Sequence, residues 1–297
     1  MGGMAITPFG IAYDHVSGAG GTPVVLVHAG VADRRMWEPQ WAAIGRERDA
    51  VRLDLRGFGE SAARPDGTLS HVDDVLATLA HLGIDRCHLV ASSMGAGVAA
   101  EVALTAPQLV RSLLLAPPGG SLLAELTDDL KAFFDAERSA LAAGDLEAAV
   151  EANIKTWVIG PGRDPAEVNP QFQDAVRRMQ RRAFEINDTW ADVDEAELDP
   201  PALERLADLK VPTLILIGGH DLATTHDSAD RLSAGLAEVR RVDWPDVAHL
   251  PSLEQPERFL TLLREWLDSV GDRSDASQSL GGLGWQSADG QQRPPQR

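Results

Sequence analysis

The 297-residue chain has a single cysteine, Cys87, so no disulfide can form within it. It has no apolar stretch long enough to span a bilayer. Its first residues, Met1-Gly2-Gly3-Met4-Ala5-Ile6-Thr7-Pro8, lack the basic region and apolar run of a secretory signal. A myristoylation reading of Gly2 fails because Ile6 stands where a serine or threonine is wanted. Positive charge is scarce: 27 lysines and arginines face 45 aspartates and glutamates, for a net charge of −18 and a pI near 4.7. An acidic surface repels nucleic acid and anionic membrane, and neither is expected as a partner. No metal-ligand spacing, dinucleotide fingerprint or phosphate loop occurs, so no metal and no cofactor are implied. These absences lead to the expectation of a soluble, cytoplasmic protein.

What is present is a rhythm. Val24-Val25-Leu26-Val27, Ala50-Val51-Arg52-Leu53, His88-Leu89-Val90, Leu113-Leu114-Leu115 and Leu214-Ile215-Leu216-Ile217 are short, mostly continuous apolar runs. Such runs fit strands buried on both faces, as a parallel sheet requires. Amphipathic or Ala-rich stretches lie between them, such as 76–82 and 97–104, and the alternation predicts an α/β fold with helices on both faces of the sheet. From about Ser121 to Leu209 strand-like runs vanish and helical stretches take over, including 132–143 and 172–186. The rhythm resumes at Pro212. This predicts a sheet-based core over 1–120 and 211–270 with a helical cap (121–210) inserted over the sheet's carboxyl edge, where ligands of such folds bind. Residues 271–297 are rich in Gly, Ser, Gln and Pro, their three acids balance three arginines, and they read as a disordered tail.

One segment carries a chemical signature. In His88-Leu89-Val90-Ala91-Ser92-Ser93-Met94-Gly95-Ala96-Gly97 an apolar strand runs through small residues into an Ala-rich helix. A serine lifted on a tight strand-to-helix turn needs small residues two places before and two after it. Ser93 has Ala91 and Gly95 there; Ser92 would have Val90 and Met94, which are too bulky. Ser93 is therefore the candidate nucleophile, although a serine in this setting can also be an ordinary helix N-cap.

This segment resembles the G-x-S-x-G motif of the α/β-hydrolase family, with Ala91 replacing the first glycine, and the resemblance extends over about residues 10 to 270. Val24-Val25-Leu26-Val27-His28-Ala29-Gly30 resembles the strand and His-Gly loop that supply one oxyanion-hole amide in that family. The resemblance implies the amides of Gly30 and Met94 as the two donors, with the insertion of Ala29 leaving Gly30 or Val31 open, and implies a structural role for His28. Asp54-Leu55-Arg56-Gly57-Phe58-Gly59-Glu60-Ser61 is similar to the family's D-x-R-G-x-G-x-S segment, whose Asp54 and Arg56 are expected to brace the loop. Asp221, at the end of Leu214-Ile215-Leu216-Ile217-Gly218-Gly219-His220-Asp221, stands where the family places its triad acid. The earlier strand ends Ala116-Pro117-Pro118-Gly119, without a carboxylate. His249, in Val247-Ala248-His249-Leu250-Pro251, resembles the family's base. Ser93, Asp221 and His249 then follow in the order Ser…Asp…His. Asp246 is expected to be a loop acid, and His220 has no assigned role.

The resemblance implies hydrolysis of a small, apolar carboxylic ester or lactone through an acyl-enzyme. It also admits a carbon–carbon bond hydrolase, a perhydrolase-like member, or a non-hydrolytic ligand-binding or cyclase member of the same fold. Trp157 and Leu250 are expected to touch substrate. Phe133, Phe134, Met179 and Phe184 are further candidate linings, though aromatics at helical spacing more often pack within a cap. A homodimer is compatible with the sequence.

Overall fold

The computed structural model describes residues 3–190, 192–196 and 198–271. In chain order its elements are β1 (Ala5–Ile6), β2 (Ala12–Val16), β3 (Val24–Val27), α1 (Glu38–Glu47), β4 (Ala50–Leu53), α2 (His71–His81), β5 (Cys87–Ser93), α3 (Met94–Thr105) and β6 (Val110–Pro118). There follow α4 (Asp128–Ala142), α5 (Leu146–Asn153), α6 (Pro170–Asn187), β7 (Thr213–Gly218), α7 (Ala223–Gly235), β8 (Val239–Trp244), α8 (Pro251–Glu254) and α9 (Pro256–Val270). The strands form one eight-stranded sheet in the order β1-β2-β4-β3-β5-β6-β7-β8. β1 and β2 are antiparallel to their neighbours, whereas every pairing from β4 to β8 is parallel.

The continuous apolar runs follow from this topology. Successive side chains of a strand point to opposite faces. Val24 and Leu26, Leu114 and Ala116, and Leu214 and Leu216 enter one hydrophobic core, while Val25 and Val27, Leu113 and Leu115, and Ile215 and Ile217 enter another across the sheet. A strand covered on both faces has no position left for a polar residue, so the two-residue period is hidden. β8 shows the opposite case: Val239-Arg240-Arg241-Val242-Asp243-Trp244 is only partly covered at the sheet's edge. Its sequence therefore has no apolar run to mark it, and only the structure reveals it.

Between β6 and β7 the chain builds α4, α5 and α6 and contains no strand among its described residues. Leu130, Val150, Val176 and Met179 from these helices join the same apolar cluster as Leu114 and Leu216 of the sheet. Residues Ile154–Ile159 extend α5 as a π-helical turn, closed by the Gly160 N–H donating to the Lys155 carbonyl at 3.1 Å. The widened turn ends at Gly160, whose φ of 83° is open to glycine. No helix among the described residues is long and apolar enough to cross a membrane. The segment expected to form a disordered tail lies, from residue 272 onward, outside the described residues.

The turn from β5 into α3 is packed closely against the loops that follow β3 and β6. A methyl group on Gly95 would sit 2.3 Å from the His28 carbonyl oxygen, and one on Gly119 would sit 2.8 Å from the Ser93 Cα. Neither neighbour is a flexible side-chain end, so both contacts force backbone to move. Gly95→Ala is expected to lower unfolding stability by about 2 to 3 kcal/mol through overpacking, measured by urea titration at neutral pH; a change within error would show that the β3 and β5 loops are not packed this closely.

Candidate active site

The parallel strands deliver their loops to one edge of the sheet. His28 follows β3, Ser93 ends β5, Gly119 follows β6, Asp221 follows β7 and His249 follows β8. Ser93 has φ 54° and ψ −120°, the single positive φ of any non-glycine among the described residues. This backbone turns the side chain out of the strand and starts α3 at Met94. Ala91 is fully buried beneath the turn, and the pairing of β5 with β6 shifts register between Ala91 and Ser93. A single methyl is therefore accommodated where the motif has glycine.

Ser93 Oγ lies 2.8 Å from His249 Nε2, and His249 Nδ1 lies 2.8 Å from both carboxylate oxygens of Asp221. With Nδ1–H donating to Asp221, Nε2 is left as the acceptor for the serine hydroxyl. Asp221 Oδ1 also accepts the Leu222 N–H at 2.8 Å, which fixes the carboxylate. The histidine and aspartate side chains are almost completely buried, at 2% and 0% exposure. Trp157 packs against the imidazole, with ring centroids 4.4 Å apart.

Gly30 and Met94 face each other across the β3 and β5 loops, since a Cβ on Gly30 would be 3.5 Å from both the Cβ and the sulfur of Met94. No described group accepts a hydrogen bond from the amides of Gly30, Val31 or Met94. Met94 is the first residue of α3, where the helix dipole adds partial positive charge.

The surrounding candidates separate into braces and bystanders. His28 Nδ1–H donates to the Ala29 carbonyl, and its Nε2 accepts the Leu55 N–H, both at 2.8 Å. Both ring nitrogens are thus used in holding the β3 loop, and burial lowers the imidazole pKa. Asp54 accepts the backbone N–H groups of Arg34 and Glu60 at 2.7 and 2.9 Å and pairs with the Arg34 guanidinium. Arg56 instead grips Asp74 and the carbonyls of Phe9 and Ala63. Asp246 accepts from Gln255 and Arg258 on the exposed surface, and those two hydrogen bonds hold its carboxyl below the usual range. His220 directs Nδ1 to the Pro161 carbonyl at 3.2 Å, tying the loop after β7 to the end of the π-helical turn.

Above Ser93 is a cavity of about 390 Å³ lined by Gly30, Met94, Phe133, Phe134, Trp157 and Phe184. One expectation needs correcting. Leu250 is fully buried in the apolar core, and its backbone caps the start of α8, so its side chain does not line this cavity. Met179 packs in the apolar cluster, in keeping with aromatic and apolar residues at helical spacing being core more often than lining. The sequence reading missed four polar linings, Glu137, Asn153, Gln180 and Asn187. Gln180 left a trace, since it interrupts the apolar stripe Phe172, Val176, Met179, Ala183 and Ile186 at helical spacing.

A family model described as the alpha/beta hydrolase family matches residues 24–262. The chain belongs to that family. Membership makes it a hydrolase in general class, and its relatives within the family differ in what they act on. It is 35% identical over 168 residues to the dihydrolipoyllysine-residue acetyltransferase component of an acetoin cleaving system from Pseudomonas putida, matching 56% of this chain but 42% of that protein. The first of these relatives is thus spanned over less than half its length. The chain is 26% identical over 239 residues to 3-oxoadipate enol-lactonase 1 of Acinetobacter baylyi, matching 80% of this chain and 85% of that one. A thermophilic esterase from Thermogutta terrifontis superposes with a TM-score of 0.69 at 25% identity, covering 88% of this chain and 93% of that structure.

Two tests follow from buried groups beside the site. The Ser92 hydroxyl is fully buried without a hydrogen-bond partner among the described residues. Ser92→Ala removes an unsatisfied polar group, so denaturant titration should find stability unchanged or raised by about 1 kcal/mol, with turnover retained; loss of turnover in a folded variant would mean that the wrong serine has been placed in the site. His71 is buried, and that burial, with the positive charge of Arg56 nearby, lowers its pKa to about 4. Between the ordinary value of about 6.5 and that lowered value, the unfolded chain binds a proton that the native protein refuses. Stability is therefore lost as pH falls through this window. His71→Gln should flatten the dependence by up to one proton, about 1.4 kcal/mol per pH unit, in denaturant titrations at several pH values; an unchanged slope would show that His71 protonates freely in the native state.

Proposed function

We propose that this hydrolase cleaves a small, largely apolar carboxylic ester or lactone through an acyl-enzyme formed on Ser93. The observation that carries the reading is the unbroken hydrogen-bonded line from Asp221 through His249 to Ser93, with 2.8 Å at each link, opening onto a cavity walled by aromatic side chains. Free serine is a weak nucleophile at neutral pH and needs a base within hydrogen-bond reach. His249 Nε2 takes the Ser93 proton as Oγ attacks the carbonyl carbon, and Asp221 holds the tautomer that leaves Nε2 free and stabilises the imidazolium that results. The tetrahedral oxyanion is received by the amides of Gly30 and Met94. Gly30 is preferred to Val31 because of its close approach to Met94. His249 then passes the proton to the leaving alkoxide, and a water deprotonated by the same imidazole releases the acid.

The ester or lactone assignment is supported by the aromatic cavity and by relatives named as an enol-lactonase and an esterase. Ring opening of a lactone and cleavage of an ester use the same steps and differ in whether the leaving alkoxide stays attached.

A fluorophosphonate probe is expected to label the protein rapidly and to fail on Ser93→Ala. On a panel of 4-nitrophenyl esters and simple lactones, Asp221→Asn should lose about 10⁴-fold in turnover, while Asp246→Asn stays within about twofold, as expected for an exposed acid that contacts neither Ser93 nor His249. A crippled Asp246→Asn beside a near-normal Asp221→Asn would reassign the acid. No turnover on the whole panel, with labelling intact, would turn the reading toward carbon–carbon cleavage or another acyl chemistry.

A further inference from the structure

The cavity beside Ser93 contains an ionisable group that hydrolysis does not use. Glu137, on α4, lines it and is partly buried. Its one described hydrogen-bond partner is the side-chain amide of Asn153, which is itself anchored to the Ala149 carbonyl at 3.0 Å. No cation stands against the carboxyl among the described residues, and burial pushes its pKa above the ordinary value. Carboxylates withdrawn from water are usually paired, because an unpaired charge in such surroundings is costly. Gln180, on α6, lines the same cavity at 4% exposure, and its buried Oε1 has no partner. A carboxylate with no cation against it and an amide oxygen with no donor therefore share one small space.

The walls around them are aromatic. Phe133, Phe134, Trp157 and Phe184 line the cavity, with Phe133 lying 5.3 Å from Phe134 and 5.1 Å from Trp157, centroid to centroid. Aromatic faces attract cations, more strongly where water is excluded. An apolar ester would bury Glu137 and Gln180 without giving them anything to bind, whereas an ammonium group supplies both the missing charge and the missing donors. The net charge of −18 also draws cations toward the molecule.

We propose that this cavity holds a cation subsite, in which Glu137 and Gln180 bind the protonated amine of the substrate inside the aromatic wall. The hydrolysed substrate is then an aminated ester or lactone whose carbon skeleton spans from Ser93 to the α4–α6 side of the cavity. The identity of the substrate rests on the hydrolase reading above; the binding of an amine does not.

The test separates the two. Turnover is compared for 4-nitrophenyl esters of ω-amino, ω-hydroxy and plain alkanoic acids, from four to eight carbons. At the preferred length the amino ester should exceed both others at least tenfold in kcat/KM, and in Glu137→Gln that ratio should fall below about threefold. Binding is read independently in Ser93→Ala by calorimetry with n-hexylammonium and n-hexanol. The ammonium should bind at least tenfold more tightly, and the double variant Ser93→Ala/Glu137→Gln should lose that difference. Equal binding of amine and alcohol, or a preference that survives Glu137→Gln, overturns the subsite. Glu137-dependent amine binding in a protein that turns over no ester would uphold the subsite and reject the esterase reading.

Discussion

Ser93 occupies a backbone conformation that an L-residue with a side chain adopts only against steric resistance, at φ 54° and ψ −120°. Nothing local compensates for it, since Ser93 makes no side-chain cap to its own helix. The conformation is held by its neighbours. Gly95 lies against the His28 carbonyl and Gly119 against the Ser93 backbone, at distances that leave no room for a methyl group. His28, with both ring nitrogens committed to backbone, fixes the loop that Gly95 meets. The site therefore depends on close backbone packing at three adjoining strand ends. The hydroxyl reaches His249 because these loops permit no other course for the chain.

The helices between β6 and β7 contribute in a different way. They bury their apolar faces in a cluster continuous with that of the sheet, so they are fastened by the same hydrophobic force that holds the sheet together. The π-helical turn at Ile154–Ile159 adds a residue to one turn of helix and carries Trp157 onto the face of His249. Such turns accompany functional sites because the extra residue redirects a side chain that a regular helix would point elsewhere. Here the redirected indole packs against the imidazole and helps to keep it buried.

Parts of this arrangement were legible in the sequence because their physics is local. A parallel strand covered on both faces must be apolar throughout, which marked β3, β5, β6 and β7 and, apart from Arg52, β4. The choice of Ser93 over Ser92 followed from the bulk of Val90 and Met94 alone. Other parts depended on neighbours distant in the chain. The half-exposed β8 is a strand only because β7 pairs with it, and β1 and β2 are too short or too polar to signal themselves. Leu250 adjoins His249 in sequence, yet it points into the core because the turn into α8 sends successive residues to opposite sides. Glu137 looks like any surface acid on an amphipathic helix until α5 and α6 close around it.

The loops that meet at the site come from strands that begin at Val24 and end at Trp244, and the five strands from β4 to β7 are paired by parallel crossovers. Such contacts join residues far apart in the chain, so much loop entropy is lost before any of them forms. No contiguous stretch of the chain carries His28, Ser93, Asp221 and His249 together short of nearly the whole sheet. Helices can form from local sequence, but the alignment of these four loops requires the sheet that carries them to be assembled. Catalytic competence is consequently a stricter gauge of the native state of this protein than its helical content.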